Sequence, residues 1–371
     1  MYPSEGSRVI EEAVKESVKA IKPYEAPQAP VGVVKLDFNE NLVIEEEWVK
    51  RLLLEAARSV DPRLYPSPYA QRAVESVANF LGVNADYVAV SNGSDEFVDL
   101  TVKAFVGYGD EAIVVEPTFE VYSLCVTVAG GVVKRFLLND DMSLDVASLL
   151  DAVTPRTKLI FLCSPNNPTG NQQPRNVVKD IVEESRRLVV LDEAYGDFAE
   201  YSAIDMALSL PNLLVLRSFS KSFGLAGLRA GYAVGSKELI STLRRVDLPF
   251  RVSSVTEKVV ELALNRWEYV KSKVEEVKRL RAELFKALSG IEGLKPYPSN
   301  ANFILTKVVK EGASSASVMQ YLAKKGFLVR DRGTLPKLEN CLRITVGPRD
   351  VNVKLTEALR EALEAGGSSR R

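Results

Sequence analysis

The chain has 371 residues, of which 46% are hydrophobic and 26% are charged, and its formal net charge is -1 at pH 7. This is an ordinary globular composition with room for two domains, and it carries no basic excess that would attract nucleic acid. Histidine is absent, which excludes Ser-His-Asp chemistry and histidine-based metal sites. Any acid-base work must therefore fall to lysine, a carboxylate, tyrosine or cysteine.

The N-terminal stretch 1–30 is polar and charged, and no later run reaches the roughly 18 apolar residues of a membrane span. The three cysteines, Cys125, Cys163 and Cys341, lie too far apart for a disulfide framework or a CxxC metal pattern. We therefore expect a soluble, cytoplasmic protein that binds neither membrane, nucleic acid nor metal.

From about residue 65 to 235, short apolar runs alternate with amphipathic segments, which is typical of βαβ units and a mostly parallel sheet. The predicted strands are continuously apolar, as strands covered on both faces should be; they span 87–90, 112–115, 159–162, 188–191 and 213–216. Each is followed by polar or turn-forming residues, in 91–96, 116–119, 163–170, 192–195 and 217–221. Because ligands of open α/β sheets bind outside the carboxyl ends of the strands, these clusters are expected to meet in one site.

The pattern changes after this region. Residues 236–290 are predicted to be helical, with a charged connecting stretch over 270–288. Strands are then predicted over 301–305, 327–330 and 341–346, and helices near 315–325 and 350–365. The predicted units are an N-terminal arm (1–35), a large domain (36–250), a connecting helix (251–290) and a small C-terminal domain (291–371).

One lysine, Lys221, lies between Ser220 and Ser222 in a segment that continues through several glycines to Arg229. A Ser-Lys pair alone is typical of a solvated loop, but the glycines indicate turns or a close backbone approach. Burial and a neighbouring arginine would both disfavour the ammonium form and leave a nucleophilic amine. An amine suited to an aldehyde, beside serine and arginine donors suited to a phosphate, points to pyridoxal 5'-phosphate.

Two further clusters fit the pyridine ring of that cofactor. Asp192 closes an apolar strand, where a carboxylate needs a partner such as a protonated ring nitrogen. Asn167 and Tyr195 could hydrogen-bond the phenolic oxygen, and Phe119 could stack on the ring. Each has an ordinary alternative: a cap or turn at Asp192, an Asx-Pro turn at Asn167 and simple packing at Phe119.

A phosphate site is predicted after the first strand. Ser94 and Asp95 follow Gly93 where a strand gives way to a helix, so their backbone amides would face a phosphate at the positive end of the helix dipole. Local sequence fits plain N-caps equally well.

Four blocks of the chain, in this order, resemble the fold-type I pyridoxal-phosphate aminotransferases and, within them, the histidinol-phosphate aminotransferase family: 166–170 (NNPTG), 192–195 (DEAY), 218–229 and 342–347 (LRITVG). The resemblance implies an α/β fold, with a mostly parallel seven-stranded-type sheet sandwiched by helices and a smaller α/β C-terminal domain. It makes Lys221 the catalytic lysine that holds the cofactor aldehyde. The implied cofactor contacts are Asp192 on the ring nitrogen, Asn167 and Tyr195 on the phenolic oxygen, and Ser94, Asp95, Ser218, Ser220 and Arg229 on the phosphate.

The resemblance also implies roles outside the cofactor contacts. Tyr65 matches a tyrosine that reaches the phosphate in the neighbouring subunit's site, which implies a homodimer with shared sites and an N-terminal arm at the dimer contact. Arg343 matches the arginine that binds the substrate α-carboxylate. Arg330 and Tyr24 resemble residues that hold a distal substrate phosphate, and Asn167 also faces the substrate.

The implied reaction converts histidinol phosphate and 2-oxoglutarate to imidazole acetol phosphate and glutamate. The chain departs from the family pattern around the substrate, at Leu42 after Asn39-Glu40-Asn41 and at Arg251, where the family often has asparagine. An aromatic amino-acid aminotransferase and a threonine-phosphate decarboxylase therefore stay open as alternatives. Two alternatives from other classes are disfavoured. The sequence has no G-x-G-x-x-G motif after a predicted strand, as a nucleotide-binding oxidoreductase would need, and no predicted DNA-binding module, as a cofactor-binding regulator would need.

Overall fold

The fold is given by a computed structural model, which describes residues 5–23 and 32–367. The elements before the large sheet are mostly helical and surround one short strand. They are α1 (Glu5–Ala13), α2 (Glu16–Lys19), β1 (Val34–Lys35), α3 (Glu46–Ser59) and α4 (Gln71–Leu81), with short 3-10 turns at Pro68–Ala70 and Ala85–Tyr87.

Seven strands form the large sheet, in the spatial order β2-β8-β7-β6-β5-β3-β4. They are β2 (Val88–Ser91), β3 (Glu111–Glu116), β4 (Val132–Leu137), β5 (Thr157–Cys163), β6 (Leu188–Asp192), β7 (Leu213–Ser218) and β8 (Gly231–Val234). Only β8 runs antiparallel to its neighbours, β2 and β7. The carboxyl ends of the other strands therefore reach the same edge of the sheet.

Helices cover both faces of this sheet. The helices that follow β2 in this part of the chain are α5 (Ser94–Phe105), α6 (Val121–Val128), α7 (Val146–Asp151), α8 (Arg175–Ser185), α9 (Ile204–Ser209), α10 (Lys237–Val246), α11 (Ser254–Leu264) and α12 (Trp267–Ser289), with 3-10 turns at Gly196–Phe198 and Ala226–Leu228. Alternate residues of one strand enter opposite cores: Val189 and Leu191 join one hydrophobic cluster, and Val190 joins the other. Burial on both faces explains why the strands are continuously apolar.

A smaller antiparallel sheet follows, in the order β12-β13-β10-β9. Its region contains β9 (Leu294–Pro296), β10 (Phe303–Val308), α13 (Ser315–Lys324), β11 (Phe327–Leu328), β12 (Arg330–Asp331), β13 (Cys341–Thr345) and α14 (Arg349–Gly367). Strand β11 pairs instead with β1 in a separate parallel sheet of two strands, which joins the chain after the N-terminal segment to this region. In the pairing of β12 with β13, Arg330 lies directly opposite Arg343.

The predicted fold class is confirmed, with differences in detail. Strand β4 was not predicted because it is an edge strand with alternating exposure that includes Lys134 and Arg135. Strand β8 was not predicted because it is short and lies among glycines. The predicted helical stretch 236–290 is three helices, and the single strand predicted over 327–330 is split between two sheets.

No helix in the described ranges is both long and apolar enough to cross a membrane.

Candidate active site

A cavity of about 790 Å³ opens at the carboxyl ends of β2, β3, β5, β6 and β7. The large sheet contributes polar residues from the ends of its strands, and the small sheet contributes arginines from β12 and β13. Of the predicted site residues, the lining includes Ser94, Asp95, Phe119, Asn167, Asp192, Tyr195, Ser218, Ser220, Lys221, Arg229, Arg330 and Arg343. The predicted convergence of the strand-end clusters is thus present in the structure, whereas the role of each residue stays a prediction.

Lys221 lies in the turn that follows β7. The neighbouring Phe219 and Ser222 are buried, so the turn is anchored on both sides of the lysine. Its Nζ donates a hydrogen bond to the carbonyl oxygen of Phe38 at 2.9 Å. Burial, followed by the positive charge of Arg343, lowers the pKa of Lys221 to about 8. This amine therefore releases its proton closer to neutrality than an ordinary lysine does.

The lowered pKa predicts how the reactivity of Lys221 depends on pH. Without cofactor, the rate of its reductive methylation by formaldehyde should rise with pH and reach half its maximum near pH 8, because only the neutral amine reacts. Lys237 is a matched control, since hydrogen bonding to Asp86 raises its pKa above the usual lysine value. Peptide mapping resolves the two sites, and identical pH profiles for both lysines would contradict the assignment.

Asp192 ends β6 and is 5% exposed. Its Oδ2 accepts a hydrogen bond from the Tyr122 hydroxyl at 2.6 Å, and its Oδ1 accepts one from the Ala194 amide at 2.9 Å. Burial raises the pKa of Asp192 to about 6. The nearby Arg217 pairs with Glu193 and Asp197 instead. Both hydrogen-bond donors to Asp192 are uncharged, so a cationic ring nitrogen would stabilise the buried carboxylate.

Tyr122 is a site residue that sequence reasoning missed. It stacks on Phe161 with ring centroids 5.1 Å apart and meets Phe119 edge-on at 5.8 Å. Burial, followed by the charge of Asp192, raises its pKa well above the usual tyrosine value, so its hydroxyl stays a donor. The available signal was its place three residues after Phe119, but nothing in the sequence paired it with Asp192.

The end of the cavity beside α5 is rich in hydrogen-bond donors. Helix α5 begins at Ser94 after Gly93, which has φ +98° and provides no side-chain cap. The positive φ of Gly93 favours glycine, and a Cβ there would lie 2.6 Å from Nη2 of Arg229, so that the guanidinium would have to move. Arg229 reaches Asp95 at 3.3 Å and the Ser220 hydroxyl at 3.4 Å. Backbone amides, hydroxyls and a guanidinium thus surround a space suited to an anion.

Asn167 and Tyr195 are both buried against the cavity. The Asn167 Oδ1 accepts a hydrogen bond from Arg343, and the Tyr195 oxygen accepts one from Asn39 Nδ2 at 2.8 Å. The Asn167 amide and the Tyr195 hydroxyl therefore keep protons to donate to a ligand oxygen. From the sequence, Asn39 was noted only within a segment that departs from the family pattern. In the structure its hydrogen bond orients Tyr195.

Arginines gather where the small sheet closes the cavity. Arg343 is 4% exposed, and its Nη2 donates to the Asp37 carbonyl oxygen. Burial lowers the pKa of Arg343 to about 10, and the charges of Arg332 and Arg330 act in the same direction. Asp37 and Glu40 are carboxylates nearby, and the buried Oδ1 of Asp37 has no hydrogen-bond partner in the described part of the chain. This end of the cavity favours an anionic group.

Among the described residues that the sequence analysis singled out, Tyr65 and Arg251 do not line this cavity. Tyr24 lies outside the described residues. Tyr65 is 84% exposed and stacks on Phe250 with ring centroids 4.9 Å apart. Arg251 does not line the cavity, because its guanidinium pairs with Glu96 of α5 and with Asp247. The expectation that Arg251 influences the choice of substrate therefore receives no support from its position.

Comparison with known proteins agrees with this geometry. The profile of the family described as "Aminotransferase class I and II" matches residues 31–359. The histidinol-phosphate aminotransferase of Thermoanaerobacter pseudethanolicus is 37% identical over 96% of this chain and 100% of its own length. Histidinol-phosphate aminotransferase 2 of Archaeoglobus fulgidus is 37% identical over 94% of this chain and 100% of its own.

Solved structures agree on the fold. The crystal structure of histidinol-phosphate aminotransferase from Sinorhizobium meliloti in complex with pyridoxal-5'-phosphate superposes with a TM-score of 0.87 at 24% identity, covering 95% of this chain and 98% of that one. An identity of 37% to two curated relatives over nearly the whole chain, and a family match over residues 31–359, lead to one conclusion: this chain belongs to the class I and II aminotransferases and, within them, to the histidinol-phosphate aminotransferase family.

Proposed function

We propose that the protein is a pyridoxal-phosphate-dependent aminotransferase that converts histidinol phosphate and 2-oxoglutarate to imidazole acetol phosphate and glutamate. The observation that carries this proposal is the division of one cavity into two ends. A partly buried lysine and a buried carboxylate occupy the end at the large sheet, and three arginines occupy the end at the small sheet. The first end suits an aldehyde cofactor, and the second suits an anionic substrate.

The residues present fit the cofactor. A Cβ at Gly93 would intrude on the donor cluster, and the uncapped start of α5 offers amides to a phosphate together with Ser94, Ser218, Ser220 and Arg229. Asp192 would hold the protonated ring nitrogen, and Asn167 and Tyr195 would donate to the phenolic oxygen. When bound, pyridoxal phosphate supplies an aldehyde for amine exchange and a ring that withdraws electrons from the substrate Cα.

Lys221 would hold the cofactor at rest and act as the proton carrier once the amino substrate has displaced it. Its pKa of about 8 keeps a useful fraction of the amine neutral near physiological pH, so Nζ can accept the proton from the substrate Cα. The same lysine would serve the return half-reaction with the oxo-acid, which gives ping-pong kinetics.

Arg330 and Arg343 would divide the anionic groups between them. Their backbone positions face one another across β12 and β13, and both side chains line the cavity. Arg343 would bind the α-carboxylate of glutamate or 2-oxoglutarate, and Arg330, with Tyr24, would bind the phosphate of histidinol phosphate. A planar guanidinium can form two parallel hydrogen bonds with either group.

The variant Arg330→Ala tests the phosphate role. We expect the KM for histidinol phosphate to rise about 10- to 100-fold, as loss of one charge-assisted hydrogen bond predicts, while the KM for phenylalanine changes little. Arg349→Ala is a matched control, because that arginine pairs with Glu283 at the protein surface. Steady-state kinetics with both donors decide the matter, and equal effects on the two substrates would refute the role of Arg330.

A homodimer with shared sites belongs to the same proposal. Tyr65 and Phe250 stack on one another, and with Leu64 and Leu248 they form an exposed apolar patch. Such a patch suits a subunit contact, and Tyr65 would reach the neighbouring phosphate site from it. Equilibrium sedimentation of the holoenzyme should give twice the chain mass, and a monomer with full activity would contradict shared sites.

A cytoplasmic location is the remaining part of this proposal. Its support is the cysteine usage, which forms no disulfide pattern and suits a reducing compartment. Fractionation of the source cells would check it.

A further inference from the structure

A buried ion network lies beneath the turn that carries Lys221. At its centre is Arg217 of β7, which is 6% exposed. Its Nη1 lies 3.2 Å from Oε2 of Glu193, and its Nη2 pairs with Oδ1 of Asp197. Glu193 is further held by the Ser202 hydroxyl at 2.6 Å. The roles proposed above use none of these groups directly.

Asp197 links this network to the catalytic turn. One of its oxygens binds Arg217, and the other, Oδ2, accepts a hydrogen bond from the hydroxyl of Ser222. Ser222 follows Lys221 in the chain, and its carbonyl oxygen accepts a hydrogen bond from Asn41 Nδ2 at 3.1 Å. The residue next to Lys221 is therefore held from two sides, by a side chain after β6 and by one near the N-terminal strand β1.

Asp197 connects β6, which ends at Asp192, with β7, which is followed by Lys221. It belongs to the 3-10 turn Gly196–Phe198, which follows Asp192 and the end of β6, while Lys221 follows the end of β7. The network packs closely against this turn, since a Cβ at Gly196 would lie 2.6 Å from Nη1 of Arg217. One carboxylate thus ties the exit of β7 to the exit of β6.

A buried ion network of this kind contributes little net stability to a fold. Buried charges lose hydration, and well-packed apolar residues often stabilise a core as well as an ion pair does. What fixed hydrogen bonds provide is a defined geometry, because losing one partner leaves another buried polar group unsatisfied. Reaction rates are sensitive to such geometry, and a misplacement of about 1 Å can cost roughly 100-fold in rate.

We propose that Asp197 is a positioning residue for Lys221: by binding Arg217 and Ser222 at once, it fixes the amine relative to Asp192 on the neighbouring strand. The inference rests on the proposed function in so far as Lys221 is the reacting amine. Without this link, the hydrogen bond that Ser222 keeps within the described part of the chain is the one from Asn41 to its carbonyl oxygen, and the Lys221 turn gains freedom relative to the cavity.

The test uses the holoenzyme variants Asp197→Asn, Ser222→Ala and the double variant. Ser222→Ala removes a single hydroxyl, so it keeps the test open if Asp197→Asn does not fold. Asp205→Asn is the matched control, because Asp205 forms an exposed ion pair with Arg175 beyond the same turn. For each protein we would measure the melting temperature, the pH titration of the cofactor absorbance without substrate, and the rates with glutamate.

We expect Asp197→Asn and Ser222→Ala each to lower the rate of conversion by glutamate by roughly 10- to 100-fold, with KM changed less than about twofold, and to shift the pH titration of the cofactor. The double variant should lose no more than the larger single loss, because both changes break one link. The positioning role would be overturned if the variants had a lower melting temperature but kept the glutamate rates and the cofactor pH titration of the wild type and of Asp205→Asn. A wild type that binds no cofactor would instead contradict the proposed function.

Discussion

Replacing Lys221 by alanine is expected to lower turnover by about 10⁴-fold or more, because the change removes both the amine that holds the cofactor and the base that moves the proton. The absorbance band of the lysine-linked cofactor should disappear as well. The cavity keeps its other contacts, so the variant should still bind pyridoxal phosphate noncovalently, which equilibrium dialysis would show.

Lys237→Ala provides the control for this experiment. That lysine is exposed and pairs with Asp86 at 3.0 Å, far from the functional cavity's lining. Its removal should leave both absorbance and turnover near those of the wild type. Full turnover in Lys221→Ala would exclude Lys221 as the reacting amine, and with it the whole assignment of the site.

Asp192→Asn is expected to have the second largest effect, a loss of roughly 10²- to 10³-fold in turnover, which is typical when one preorganised electrostatic partner is removed. The pKa of Asp192 is raised to about 6, so the group is mostly ionised at pH 8 and can keep a ring nitrogen protonated. Asparagine retains an oxygen for the Tyr122 hydroxyl but carries no charge. The measurements are turnover at pH 8 and the dissociation constant of the cofactor.

Asp205→Asn makes the same chemical change in an exposed ion pair and should leave both quantities almost unchanged. If Asp192→Asn kept wild-type turnover, the carboxylate would not be the partner of the ring nitrogen. A loss confined to the melting temperature would assign Asp192 a purely structural part.

The location of the site could be predicted from the sequence because parallel strands impose it. Continuously apolar runs indicated strands covered on both faces, and the polar residues after each run then had to meet at one edge of the sheet. The strand β8 runs antiparallel to both β2 and β7, so β2 and β7 point in the same direction and their carboxyl ends stay at the same edge. Because β8 was not predicted from the sequence, the number of predicted strands was too low, but the predicted position of the site did not change.

The partners of the site residues could not be predicted in the same way. Tyr122 and Asp192 are 70 positions apart, and Asn39 and Tyr195 are 156 apart. Contacts of this kind depend on how helices and loops pack over the sheet, which hydrophobic periodicity does not encode. The ion network around Arg217 is similar: the sequence placed Arg217 after the predicted strand 213–216, and only the structure shows it inside β7 and paired with Asp197.

The most direct test of the proposed function is a half-reaction titration of the purified holoenzyme. Histidinol phosphate, phenylalanine and threonine phosphate would be added in turn while absorbance reports loss of the lysine-linked cofactor. Histidinol phosphate should convert the enzyme to its amino form with a kcat/KM at least about tenfold above that of phenylalanine, the difference expected from one charged contact to its phosphate. No conversion by histidinol phosphate, or release of carbon dioxide from threonine phosphate, would contradict the account.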